Sequence, residues 1–134
     1  MSTKIFVNLP IKDMSRSVEF FSKLGYTFNA QFTDEKAACM IVSEDIYVML
    51  LVEEFFKTFT PKPVADAKAS TEVLVSLSAQ SRDGVDQIVQ TALAAGAKQC
   101  KEPTDKGFMY QWNFQDLDGH IWEYIWMDPA VIRR

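Results

Sequence analysis

Apolar residues recur along this chain with two periods, and the periods alternate in the same order twice. Ile5, Val7, Leu9 and Ile11 alternate with Phe6, Asn8 and Pro10, the period of two that predicts a strand with its aliphatic side against a helix layer. Asp13 is placed to cap a following helix in which Val18, Phe21 and Leu24 fall at helical spacing, and Gly25 ends it. Strands are predicted over 26–32, 36–42 and 46–52, separated by polar turns at 33–35 and 43–45. After residue 70 the pattern returns. A strand over 71–79 leads to a helix over 82–95, with Ser81 as its cap, Val85, Ile88, Val89 and Ala92 as its apolar stripe, and Gly96 at its end. Strands over 98–102, 108–115 and 121–127 follow, with turns at 103–107 and 116–119.

Leu9-Pro10-Ile11-Lys12-Asp13 superposes on Leu77-Ser78-Ala79-Gln80-Ser81, so each half offers a strand end, a cap and an amphipathic helix. The prediction is a duplicated βαβββ unit in one domain: a first module over about 4–54, a linker over about 55–70 and a second module over about 71–128. The linker carries Pro61, Pro63 and the plain run Ala65-Asp66-Ala67-Lys68-Ala69. The expected class is α+β, with mixed, mainly antiparallel sheets curling around a shared concavity and two principal helices outside.

Composition narrows the function more than the fold. At 134 residues with 48% hydrophobic side chains the chain has enough apolar content for a normal core. Its net charge of −4, with no basic cluster apart from Arg133-Arg134, argues against nucleic acid, which requires a concentrated cationic face. The opening Met-Ser-Thr-Lys resembles no signal segment and no apolar run is long enough to span a membrane, so a cytoplasmic home is expected. Cys39 and Cys100 stand far apart in neither metal nor redox spacing and read as free thiols, Cys39 as a small core residue.

Two strings carry a resemblance. Val7-Asn8-Leu9-Pro10-Ile11-Lys12-Asp13-Met14-Ser15-Arg16-Ser17-Val18-Glu19-Phe20-Phe21 with Leu24-Gly25-Tyr26 resembles the opening module of the vicinal oxygen chelate superfamily. Asp116-Leu117-Asp118-Gly119-His120-Ile121-Trp122-Glu123 resembles its closing hairpin. That superfamily includes glyoxalase I, the bleomycin resistance proteins and the extradiol dioxygenases, and the resemblance spans essentially the whole chain. It implies four inward positions that hold a divalent ion in metal-dependent members, here Phe6, Met49, Leu74 and Glu123. Glu123 alone among them can bind a metal, whereas a catalytic ion wants about three protein ligands from His, Cys and carboxylate. No cofactor is therefore expected, a divalent metal having only the weak support of Glu123. The single histidine, His120, reads as an exposed hairpin residue rather than a ligand. Asp116-x-Asp118-Gly119 reads as a turn, since the remaining ligands of a calcium loop do not follow.

Glu123 stands among Ile121, Ile125 and Met127 on one strand face, where a carboxylate costs free energy unless something holds it. A relic with a neighbouring donor and a ligand-binding role weigh equally for it, with catalysis third. In the adjacent strand one face offers Tyr110, Trp112 and Phe114, the other Met109, Gln111 and Asn113, and which of them lines the concavity is open. The expected ligand contacts are Asn8, Ser76, Tyr110, Trp112 and Glu123, and Glu123 is the candidate catalytic residue. The expected function is a metal-free, homodimeric protein of the bleomycin-resistance-like kind that holds a small organic molecule. The alternative is a metal-dependent lyase, isomerase or dioxygenase with Glu123 as metal ligand or general base. A glutathione-type substrate is poorly supported, since Arg16, Arg82 and the terminal pair are the only arginines.

Overall fold

The two predicted repeats appear as two sheets of matching strand order, the second with one extra short strand. The computed structural model describes residues 2–132, so the Arg133-Arg134 pair lies outside the described residues. The chain separates into two compact units, Met1–Ala65 and Asp66–Arg134. The first contains β1 (Ile5–Ile11), α1 (Met14–Lys23), β2 (Thr27–Phe28), β3 (Ala37–Ile41), β4 (Ile46–Val52) and the short α2 (Glu53–Phe56). The second contains β5 (Leu74–Ser78), α3 (Arg82–Ala94), β6 (Lys98–Gln99), β7 (Thr104–Asp105), β8 (Met109–Gln115), β9 (Ile121–Met127) and the short α4 (Pro129–Ile132). Strand order is β1-β4-β3-β2 in one sheet and β5-β9-β8-β6 in the other, with β7 paired to β8. Each sheet has one parallel pair, β1 with β4 and β5 with β9, and its other pairings are antiparallel. The mixed, mainly antiparallel α+β class is what the alternating periods predict.

Both long helices start and stop as the sequence dictates. Asp13 accepts from the Arg16 amide and Ser81 from the Gly84 amide, satisfying one orphan donor of each first turn. Gly25 and Gly96 follow at φ 103° and 114°. α3 buries Val85, Val89 and Ala92 against the sheet side carrying Phe114, Trp122 and Tyr124, with Ile88 half-buried at the margin. In α1 the buried stripe is Ser17, Phe20 and Phe21, rotated from the predicted Val18, Phe21 and Leu24. The two phenylalanines pack edge to face at 4.9 Å and bring more apolar area inward than Val18 could. Burying each such aromatic contributes roughly 1.5–3 kcal/mol.

Three predicted strands are shorter than expected, for local reasons. The segment 26–32 is a strand only at Thr27–Phe28, because the Asn29 side chain accepts from the Gln31 amide and turns Ala30–Phe32 into a 3-10 helix. The strand expected over 71–79 begins at Leu74. The segment 98–102 stops pairing after Gln99, and a short strand, β7, forms inside the predicted turn 103–107. The connector opens with helical turns at Glu53–Phe56 and Lys57–Phe59, the two glutamates complementing the helix N-terminus.

A candidate ligand cavity on the second sheet

Glu123 owes its position to the alternation of β9. Trp122 and Tyr124 are buried on the α3 side, which turns Ile121, Glu123 and Ile125 to the opposite face. Register then supplies the neighbours of Glu123. Ser76 of β5 is its partner on one flank and Asn113 of β8 on the other. The Ser76 hydroxyl donates to Glu123 Oε1 at 2.7 Å, so the carboxylate has the donor that its otherwise apolar face requires. Two residues along, Leu74 lies opposite Ile121 and Gln111 opposite Ile125, again on this face. Glu123, Asn113, Gln111, Leu74 and Ile121 line a cavity of about 200 Å³. A space of that size suits a small organic group, below the usual range for drug-sized ligands.

The far wall of the cavity is the excursion between β6 and β7, from Cys100 to Thr104. It is pinned at one residue, Lys101. The Lys101 amide donates to Asn113 Oδ1 at 3.1 Å, and Trp112 Nε1 donates to the Lys101 carbonyl at 3.1 Å. These two bonds replace the ladder that a longer β6 would have formed, which is why the predicted strand ends early. Gln99 Nε2 donates to Glu102 Oε2 within the same loop, and Thr104 resumes pairing opposite Gln111. The sequence reading missed Cys100, Lys101, Glu102 and Thr104 as lining residues.

The expected contact residues divide. Glu123 and Trp112 line the cavity, and Ser76 reaches it through its bond to Glu123. Tyr110 lies on the opposite face, directly across from Trp126, and its hydroxyl donates to Asp86 Oδ1 of α3 at 2.5 Å. Burial first, and then that bond, push its pKa up to about 12. The Arg82 guanidinium lies over both the Tyr110 ring (5.4 Å) and the Trp126 ring (5.1 Å), and it is forked to Asp105 at 2.6 and 3.0 Å. This fork holds the Asp105 carboxyl below its ordinary range. The cluster ties the loop after β7 to the start of α3. Of the two faces left open for β8, the one carrying Gln111 and Asn113 lines the cavity, with Trp112 of the other face also among the lining residues. Asn8 belongs to the first unit, where its amide donates to the Phe6 carbonyl at 3.4 Å, and it does not line this cavity.

His120 is not an exposed hairpin residue. It is 9% exposed and its amide donates to Asp116 Oδ1. Asp116 is the centre of this turn, accepting also from the Asp118 amide at 2.9 Å and from Trp122 Nε1 at 2.9 Å. Burial raises its pKa, opposed by the nearby His120 and by these donors. Close packing extends outward, since a Cβ on Gly119 would stand 2.8 Å from the Lys68 nitrogen.

The residues at the four positions where the resemblance implies an ion do not make up a ligand set. In the first unit, exposed Phe6 stacks on Tyr47 at 5.0 Å, and Met49 pairs with Asn8. In the second, Leu74 and Glu123 share the cavity face. Two hydrocarbon side chains and a thioether give a divalent ion no hard donor. No group of three His, Cys, Asp or Glu side chains suited to a metal occurs among the described residues. Cys39 is buried, which raises its thiol pKa, and Cys100 is half-buried; both are free.

Comparison with known proteins follows the fold. Residues 3–43 match the family model described as bleomycin resistance protein-like N-terminal. A hypothetical protein from S. aureus is 27% identical and superposes with a TM-score of 0.78 over 93% of this chain and 94% of its own. A glyoxalase/bleomycin resistance protein/dioxygenase family enzyme from Burkholderia phytofirmans PsJN is 16% identical, with a TM-score of 0.77 over 94% and 99%. A genomically encoded fosfomycin resistance protein from Listeria monocytogenes is 15% identical, with a TM-score of 0.67 over 97% of each chain. No curated protein matches. The chain shares the fold of these glyoxalase/bleomycin resistance protein/dioxygenase structures, and its first strand and helix resemble the bleomycin resistance protein-like N-terminal family.

Proposed function

We propose that this protein binds a small organic molecule without a metal, in the cavity on the Glu123 face of the second sheet, with Glu123 as the polar anchor. The observation that carries the reading is the meeting of Glu123, Gln111 and Asn113 in one cavity of about 200 Å³. Sequestration asks only for affinity and a pre-formed pocket, so a hydrocarbon or thioether at Phe6, Met49 and Leu74 does it no harm. The neighbour named as a fosfomycin resistance protein supports the reading at the level of fold alone, since one fold hosts many functions.

The test is a thermal-shift screen of small cationic and aromatic compounds. A binder present at a hundred times its Kd stabilises the fold by about 2.7 kcal/mol. Glu123→Gln, which keeps an oxygen for Ser76, reduces that shift. A screen in which cationic, neutral and anionic compounds all leave the melting temperature unchanged overturns the reading. Stoichiometric uptake of nickel, zinc, iron or manganese, abolished by Glu123→Gln, overturns its metal-free part and favours the enzyme alternative.

A homodimer and a cytoplasmic location belong to the same proposal. Support for the dimer comes from Ile5 and Phe6 on β1 and Val73 and Leu74 at the head of β5, all about half exposed at an edge of their own sheets. Light scattering that gives a monomer at micromolar concentration overturns it.

A further inference from the structure

The cavity's polar groups are fixed in a donor–acceptor order that specifies more than a charge. Asn113 could in principle present either end of its amide. The Lys101 backbone N–H settles the matter, because it can only donate and it is bonded to Asn113 Oδ1. The oxygen is used, and the Nδ2 donor is left to address the cavity. Glu123 is held from its other flank by Ser76 at Oε1, which leaves acceptor capacity on the carboxylate. Asn113 and Glu123 are direct cross-strand partners, so their Cβ atoms lie about 4.5–5.5 Å apart. They are not hydrogen-bonded to one another. A donor and an acceptor thus stand side by side on one face, each with capacity to spare. Gln111, next along β8 on that face, makes no side-chain hydrogen bond among the described residues and offers one more donor and one more acceptor.

We infer that the cavity recognises a neutral amide edge, the N–H and C=O of a primary carboxamide or a lactam. The ligand N–H donates to the Glu123 carboxylate and its C=O accepts from Asn113 Nδ2. This rests on the binding reading above and names the chemical class of its ligand. An ammonium or amidinium suits Glu123 alone, since its donors meet the Asn113 donor. A carboxylate suits Asn113 alone, since it meets the Glu123 charge. Only a group carrying a donor and an acceptor on the same carbon satisfies the pair, and one left unmatched costs about a factor of ten in affinity.

Four ring compounds separate these cases: benzamide, benzamidine and benzoate, which match in size, and the slightly larger N,N-dimethylbenzamide, which lacks the N–H. Binding is read from amide chemical shifts of cavity residues in the intact protein, including the side-chain NH2 groups of Asn113 and Gln111. The expected result is that benzamide binds at least about tenfold tighter than the other three and moves the Asn113 NH2 resonances. Asn113→Asp then provides the decisive variant. It retains an oxygen for the Lys101 amide, so the loop stays pinned, but it replaces the cavity donor with an acceptor. In that variant benzamide weakens about tenfold and benzamidine, now facing two carboxylates, becomes the preferred probe. Benzamidine or benzoate binding best to the unaltered protein, with shifts at the cavity, overturns the amide-edge inference and leaves the binding reading standing. No cavity shift with any of the four overturns both.

Discussion

The two units share a topology and differ in one row of side chains. Register places Ser76, Glu123 and Asn113 across β5, β9 and β8 of the second sheet. The equivalent row across β1, β4 and β3 of the first is Asn8, Met49 and Cys39. One row is a hydroxyl, a carboxylate and an amide. In the other, a thioether and a thiol whose pKa burial raises have taken the two inner places. The frame therefore does not dictate chemistry, because the same ladder presents reactive polarity in one copy and inert sulfur in the other. A second difference lies in how the last two strands of each unit are joined. The Asp116–His120 turn closes around a buried carboxylate. The turn between β3 and β4 closes through the backbone, with Val42 and Ser43 donating to the Ile46 carbonyl.

That difference in turns gives the largest expected effect. Asp116→Ala strips the acceptor from two backbone amides and the Trp122 indole, all buried, and costs roughly 3–4 kcal/mol. For a chain of this size the melting temperature falls by on the order of 10 °C. Asp116→Asn costs less, because its oxygen still serves the two amides while its NH2 group meets the indole N–H. Because burial raises this carboxyl's pKa in the folded state, its stabilising contribution is present in acid and fades as pH rises through the folded value. Asp45→Ala in the first unit's turn, by contrast, leaves the melting temperature within about 1 °C, its carboxylate being exposed. Equal losses for Asp116→Ala and Asp45→Ala in calorimetry would break the distinction between the two turns.

Glycines sharpen the comparison at a smaller scale. Gly119 and Gly25 have similar backbones, at φ 93° and 103°, so an alanine is strained at either. Around Gly25 there is open space, whereas a Cβ at Gly119 would stand 2.8 Å from the Lys68 nitrogen and 2.9 Å from the Ala67 carbonyl carbon. Backbone cannot move aside as a side chain can. Gly25→Ala costs about 1 kcal/mol and Gly119→Ala roughly 2–3 kcal/mol, read as the separation of two denaturant midpoints at unchanged slope.

How much of this was legible in the sequence follows from which interactions are periodic. β1, β4, β9 and both long helices follow hydrophobic repeats, caps and terminal glycines, and all stand within a residue or so of their predicted bounds. The Glu123 face was legible too, because a carboxylate among Ile121, Ile125 and Met127 breaks the pattern. What failed depended on side chains competing with the backbone. Asn29 shortens β2, and Asn113 with Trp112 captures Lys101 and builds the cavity wall. The two bonds to Lys101 join residues 11 and 12 positions apart and leave no periodic trace. Tyr110 misled for a related reason: an aromatic in a half-buried strand suits a pocket and a helix contact equally, and only the register decides.

The smallest effect probes that helix contact and therefore the assignment of β8's two faces. In the folded chain Tyr110 holds its proton to about pH 12, above the ordinary 10, because it is partly buried and bonded to Asp86. Folding thus binds this proton more tightly than the unfolded chain does. The resulting stability is fully present below pH 10 and is lost as pH climbs from 10 through 12. Tyr110→Phe removes one hydrogen bond, costing about 1 kcal/mol at neutral pH, and also removes this part of the alkaline decline. Stability curves of the two proteins therefore converge between pH 10 and 12, and ultraviolet titration of the parent shows one tyrosine ionising late. If the curves stay parallel and no tyrosine is delayed, Tyr110 is not held against α3, and the aromatic side of β8 would again compete with Gln111 and Asn113 for the cavity.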